Sequence, residues 1–175
     1  MIEFMVLSAP RSSSTWVANW LTTDTTLCLH DPVLEHRVEE LDRLQSDRRL
    51  GLSCTALALV PDWVNNHPAR KVIVHRPLSE VNLSLANLHM APLDPVWQKA
   101  LDKIEGLHVR HRELFDQASA AAIYEYLLQR PLDEIRYNHL VGMQVEPAFE
   151  RLRLPAGRAA DFIRYMQAER KQAEL

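Results

Sequence analysis

The run Glu3-Phe4-Met5-Val6-Leu7 and the loop after it constrain this chain more than any other segment. An apolar stretch of this length reads as a buried strand, and it empties into Ser8-Ala9-Pro10-Arg11-Ser12-Ser13-Ser14-Thr15, a loop of one cation and several hydroxyls. Trp16, Val17, Trp20 and Leu21 then recur at helical spacing, so the loop opens an amphipathic helix. Strand, tight loop and helix N-terminus in that order make an anion site. The first-turn N–H groups have no intrahelical partners, and the helix dipole adds partial positive charge at the same place. The hydroxyls supply further donors, and Arg11 adds a permanent charge able to fork onto phosphate or sulfate oxygens. The residues therefore describe a cradle for a phosphate-like group.

Pro10-Arg11-Ser12-Ser13-Ser14-Thr15-Trp16 resembles the 5′-phosphosulfate loop of the sulfotransferases that use PAPS, 3′-phosphoadenosine 5′-phosphosulfate. That motif reads Pro-(Lys/Arg)-Ser-Gly-(Ser/Thr)-Thr-Trp/Leu, and Ser13 stands here at its glycine. A Walker A loop occupies the same kind of junction, but its overlay on Ser8 to Thr15 keeps only the last hydroxyl. Both glycines become serine (Ser8 and Ser13) and the lysine becomes Ser14, which disfavours ordinary ATP or GTP hydrolysis. Further on, Lys71-Val72-Ile73-Val74-His75 reads as a β-branched strand, with Arg76-Pro77 and a helix after it. In the sulfotransferases an Arg after such a strand and a Ser on the next helix hold the cofactor's 3′-phosphate. Arg76 and Ser84 stand in that order and at the family's spacing, although the usual Asp after the Arg is missing. The resemblance implies cofactor contacts at Pro10, Arg11, Ser12, Ser13, Ser14, Thr15, Trp16, Arg76 and Ser84, with Arg11 also catalytic and no metal required.

The remaining segments fit an α/β architecture. Thr25 to Leu29 reads as a second strand ending at His30-Asp31-Pro32, with a charged helix expected over Val33 to Leu44. Gly51-Leu52-Ser53-Cys54 reads as a third strand, which Thr55 to Val60 either continues or leaves for a helix. Gly106 to His111 reads as a fifth, followed by Arg112 to Phe115. Alternating strands and helices predict a three-layer fold, a mostly parallel five-stranded sheet covered on both faces, with ligands at the strands' carboxyl ends. We expect one domain over 1–175, with a nucleotide-binding core over 1–115 and a mostly helical extension over 116–175. Within that extension Ala118 to Leu128 is the clearest helix, and Ala159 to Ala173 reads as a charged amphipathic stretch. The family's C-terminal cofactor segment is represented at most by Arg153-Leu154-Pro155-Ala156-Gly157-Arg158.

A net charge of −3 gives no support for nucleic-acid binding. No apolar run reaches membrane-spanning length and residues 1–9 carry no basic signal-peptide start, so a cytoplasmic location, bacterial or viral, is expected. Cys28 and Cys54 read as buried thiols rather than a disulfide.

Sulfuryl transfer needs a base for the acceptor's proton and cations for the leaving oxygen. His30 is the first choice for the base and Glu35 the second, with Asp31 and His36 beside them. His108, Arg110, His111 and Arg112 form a basic cluster that strand alternation divides between two faces. Three functions stay open. The leading one moves a sulfuryl group from PAPS to a hydroxyl or amine on an unidentified acceptor. The others are a kinase-like phosphotransferase of the P-loop class and a non-catalytic nucleotide-binding protein.

Overall fold

The computed structural model describes residues 1–143. Five strands form one all-parallel sheet: β1 (Ile2–Ser8), β2 (Thr26–His30), β3 (Arg49–Cys54), β4 (Arg70–His75) and β5 (Leu107–Arg110), in the order β2-β3-β1-β4-β5. Six helices accompany them: α1 (Ser14–Leu21), α2 (Pro61–Asn66), α3 (Leu78–Ala86), α4 (Val96–Leu101), α5 (Gln117–Leu128) and α6 (Glu134–Val141). The expected α/β class is the observed one, and the sheet is parallel throughout.

Both faces of the sheet are covered, which is why the central strands read as continuous apolar runs. Phe4, Val6, Val72 and Val74 point to one face and pack with Trp16, Trp20, Ile123, Tyr124 and Tyr137 of α1, α5 and α6. Met5, Leu7, Leu52 and Ile73 point to the other and meet Val38, Leu41, Leu57, Val64 and Leu101. Trp20 and Tyr124 are almost completely buried, each contributing about 1.5–3 kcal/mol by leaving water. The Phe4 ring packs against Gly51 of β3, where a Cβ would come within 2.0 Å of it, so only glycine fits.

Several connections differ from the sequence-based expectation. Val33 to Leu44 is not the expected α-helix; it forms two 3-10 turns, Pro32–Leu34 and Val38–Arg43, which bury Pro32, Val38 and Leu41 and pack Val33 and Leu44 partly against the core. Thr55 ends β3 rather than extending it, since its N–H and hydroxyl both donate to Asp31 Oδ1, at 2.6 and 3.1 Å. A 3-10 turn, Ala56–Leu59, comes next. The Ala159–Ala173 stretch and the Arg153–Arg158 echo lie outside the described residues.

Sheet order fixes where a ligand can enter. The chain leaves β1 through α1 on one face and travels towards β2, whereas it leaves β4 through α3 and α4 towards β5. Adjacent strands whose connections diverge leave a crevice at their carboxyl ends. The loops Ala9–Ser13 and Arg76–Pro77 border that crevice.

Candidate functional site

The β1–α1 loop turns sharply because two non-glycine residues adopt left-handed backbone, Arg11 at φ 63° and Ser13 at φ 67°. For an ordinary residue that conformation costs about 1–2 kcal/mol. Ser13 thus takes up the backbone region that a glycine reaches freely. Ser12, between them, is fully buried, and its hydroxyl has no hydrogen-bond partner among the described residues. A buried, unsatisfied donor is costly and calls for an acceptor. The first intrahelical bond is Val17 N–H to Ser13 C=O, so the N–H groups before it lack helical partners.

Arg11 ties this loop to the neighbouring one. Its Nε donates to Ser84 Oγ on α3 at 3.1 Å, while its carbonyl accepts from Arg76 Nη1. Arg76 Nε also pairs with Glu80 at 3.2 Å. The sequence groups Arg76 with Ser84; in the fold each of them contacts Arg11, one at its carbonyl and the other at its guanidinium.

On the β2 side, His30 Nε2 lies 3.0 Å from Ser14 Oγ, 3.2 Å from Thr15 Oγ1 and 3.2 Å from Asp31 Oδ2. A carboxylate oxygen this close assigns the neutral ring's proton to Nε2, so His30 donates there. A serine-hydrolase triad does not fit these atoms, because the hydroxyl and the carboxylate meet the same ring nitrogen rather than opposite ones. Glu35 is exposed, just past the Pro32–Leu34 turn. Trp16 points away from the loop surface: its Nε1 donates to Leu140 C=O at 3.0 Å and its ring packs against Trp20, Phe115 and Tyr137. It anchors the helix below the loop.

The basic cluster behaves differently from its sequence pattern. Alternation ends at Arg110, where a 3-10 turn over His111–Phe115 begins. Arg110, His111 and Arg112 therefore line one cavity of about 470 Å³ with His75, Arg76 and Gln98 instead of dividing between faces. His108 turns elsewhere and sits 2.8 Å from His75. His111 Nε2 lies 2.8 Å from Ser13 Oγ. Burial, with the Arg76 charge adding to it, pushes the His111 ring down to about 4, so it is neutral at physiological pH. His75 is also lowered, by burial first and by His108 second. Periodicity conceals His75, Gln98 and His111 as cavity residues; the one available signal is the position of the cluster directly after a strand.

Both cysteines are buried, and burial raises their thiol pKa values far above the ordinary one. Among the described residues no group of three or more His, Cys, Asp or Glu side chains is placed to hold a metal ion. No helix among them is long and apolar enough to cross a membrane. No protein-family model matches this chain, and comparison with curated proteins found no relative.

Proposed function

We propose that this protein binds PAPS or its product PAP and transfers a sulfuryl group to a hydroxyl or amine of an acceptor. The observation that carries this reading is the convergence on Arg11: Arg76 and Ser84, which the resemblance assigns to a 3′-phosphate, both bond the residue it assigns to the 5′-phosphosulfate. The buried Ser12 hydroxyl and the helix N–H groups offer donors that an anion would satisfy, so the residues present fit such a ligand.

In this reading Ser12, Ser14, Thr15 and the first-turn N–H groups hold the 5′ end, and Arg76 and Ser84 hold the 3′-phosphate. PAPS, when bound, supplies the sulfuryl group. Arg11 carries a fixed positive charge on the loop, where charge grows as the leaving oxygen departs, and such stabilisation acts on turnover. His30 accepts the acceptor's proton at Nδ1, the ring nitrogen left without one, and the Asp31 carboxylate beside its Nε2 stabilises the imidazolium that forms. Glu35 stands farther along the chain and takes no part in this scheme.

Thermal shift with a ligand panel tests the reading, because a ligand specific for the native state raises its apparent stability. PAP and PAPS should stabilise the protein more than ATP, GTP or AMP, without magnesium. A larger shift with ATP and magnesium, and none with PAP, replaces this reading with the kinase-like one. No shift with any nucleotide leaves the chain without a nucleotide function.

A further inference from the structure

Ser13 and His111 stand 98 residues apart in sequence and 2.8 Å apart in space. We propose that His111 is a positioning residue: it clamps the Ser13 hydroxyl and so holds the anion loop in a left-handed turn that a glycine would adopt unaided. The proposal rests on the reading above only in taking this loop as an anion site.

Three observations support it. Ser13 is at φ 67°, ψ 25°, yet its side chain makes no capping bond to the helix it precedes. A serine before a helix normally uses its oxygen to accept a first-turn N–H from an extended backbone. Here the oxygen is engaged with an imidazole instead, which leaves the first-turn N–H groups to a ligand. His111, in turn, is held firmly. It opens a 3-10 turn whose Glu113 carboxylate accepts from the Arg110 N–H, and its ring meets Phe115 edge-on at 5.3 Å between centroids. Finally, burial and the Arg76 charge keep the ring neutral, so Nε2 either accepts from the serine hydroxyl or donates to it, according to the tautomer. A protonated ring beside Arg76 would add a second positive charge where the loop needs none.

A merely structural histidine and a clamp make different predictions for one mutant cycle. In the otherwise wild-type protein, H111A should lower Tm by about 2–4 °C and weaken binding of PAP about fivefold, the size of one net hydrogen bond. In the S13G background H111A should leave PAP binding unchanged and lower Tm by clearly less, through the lost Phe115 contact alone, because glycine holds a left-handed turn with no side chain to clamp. S13G alone should keep Tm close to wild type, because glycine needs no clamp, and its own PAP affinity is the baseline against which H111A is read in that background. H111Q, whose amide can reach the same hydroxyl, should restore most of the loss. Equal losses from H111A in the two backgrounds would overturn the proposal, as would H111Q behaving like H111A. If wild type binds no PAP, the sulfotransferase reading fails, while the Tm cycle still decides whether the clamp exists.

Discussion

Arginines crowd both edges of the sheet, but the two edges use them in opposite ways. At the amino edge, Arg49 Nη1 and Arg70 Nη1 donate to the Leu128 and Leu127 carbonyls, each at 2.8 Å. Those carbonyls end α5, the negative end of a helix dipole, so charge and dipole satisfy each other within the protein. At the carboxyl edge, Arg76, Arg110 and Arg112 line a cavity together with the Glu80 carboxylate, beside the positive end of α1. Cations next to a helix N-terminus repel its dipole, and under the proposed function an anionic ligand relieves them. Under the proposed function one edge is complete in itself and the other is arranged for a partner. The same side chain is structural or functional according to which end of a helix it meets.

That contrast breaks most visibly at Arg11. Under the proposed function, Arg11→Ala should reduce sulfuryl transfer by about two to three orders of magnitude, comparable to removing one oxyanion donor. PAP binding should fall much less, and Arg11→Lys should recover much of the rate. Single-turnover transfer from labelled PAPS measures this, or slow PAPS hydrolysis where no acceptor is known. If PAP affinity falls steeply while the rate at saturating PAPS is intact, Arg11 only binds.

Arg76 sharpens the same edge with a smaller effect. Arg76→Ala should weaken PAP binding by about 1.5–3 kcal/mol, the range for a hydrogen bond to a charged group. It should affect 5′-AMP far less, because AMP lacks the 3′-phosphate. Equal losses for both in a calorimetric titration would assign Arg76 to support of the Arg11 carbonyl instead.

At the opposite edge the readouts should exchange. Arg70→Ala removes a charged donor from the end of α5 and should cost about 1.5–2 kcal/mol of stability in urea unfolding. PAP affinity should not change. A variant that loses affinity but keeps its stability would erase the distinction between the edges.

How much of this is legible in the sequence depends on the distance over which each feature is specified. The β1 strand, its loop and α1 are written in consecutive residues, so the Glu3–Trp16 pattern places the loop at a strand's carboxyl end, where the fold has it. The central strands β1, β3 and β4 are readable because burial on both faces leaves each an apolar stretch, while the edge strands β2 and β5 show only as short alternating segments. Val33 to Leu44 misleads because charge density suggests a helix, while the chain forms two short 3-10 turns, Pro32–Leu34 and Val38–Arg43. The meeting of Ser13 with His111 is set by sheet order, by where β5 stops and by a left-handed backbone. None of those is a local property of either residue.

The smallest effect concerns His111 and acid. In an unfolded chain its ring takes a proton near the ordinary 6.5, whereas in the folded protein burial and Arg76 delay this to about 4. Between those values the unfolded state binds more protons, so stability rises with pH across the window and falls as acid is added. The loss should begin near pH 6.5, grow towards pH 4 and level off below it. The ring is only partly buried, so screening by solvent reduces the effect to roughly 1–2 kcal/mol. His75, also lowered, acts with the same sign and should leave a residual slope. Urea unfolding of wild type and H111Q from about pH 7.5 to about pH 4 separates the two rings. H111Q should keep the loop's hydrogen bond and lose most of the slope. If its slope matches wild type, the acid sensitivity belongs to His75 and the pair it forms with His108, and the edge built for a partner would carry its titrating group on β4 rather than against the loop.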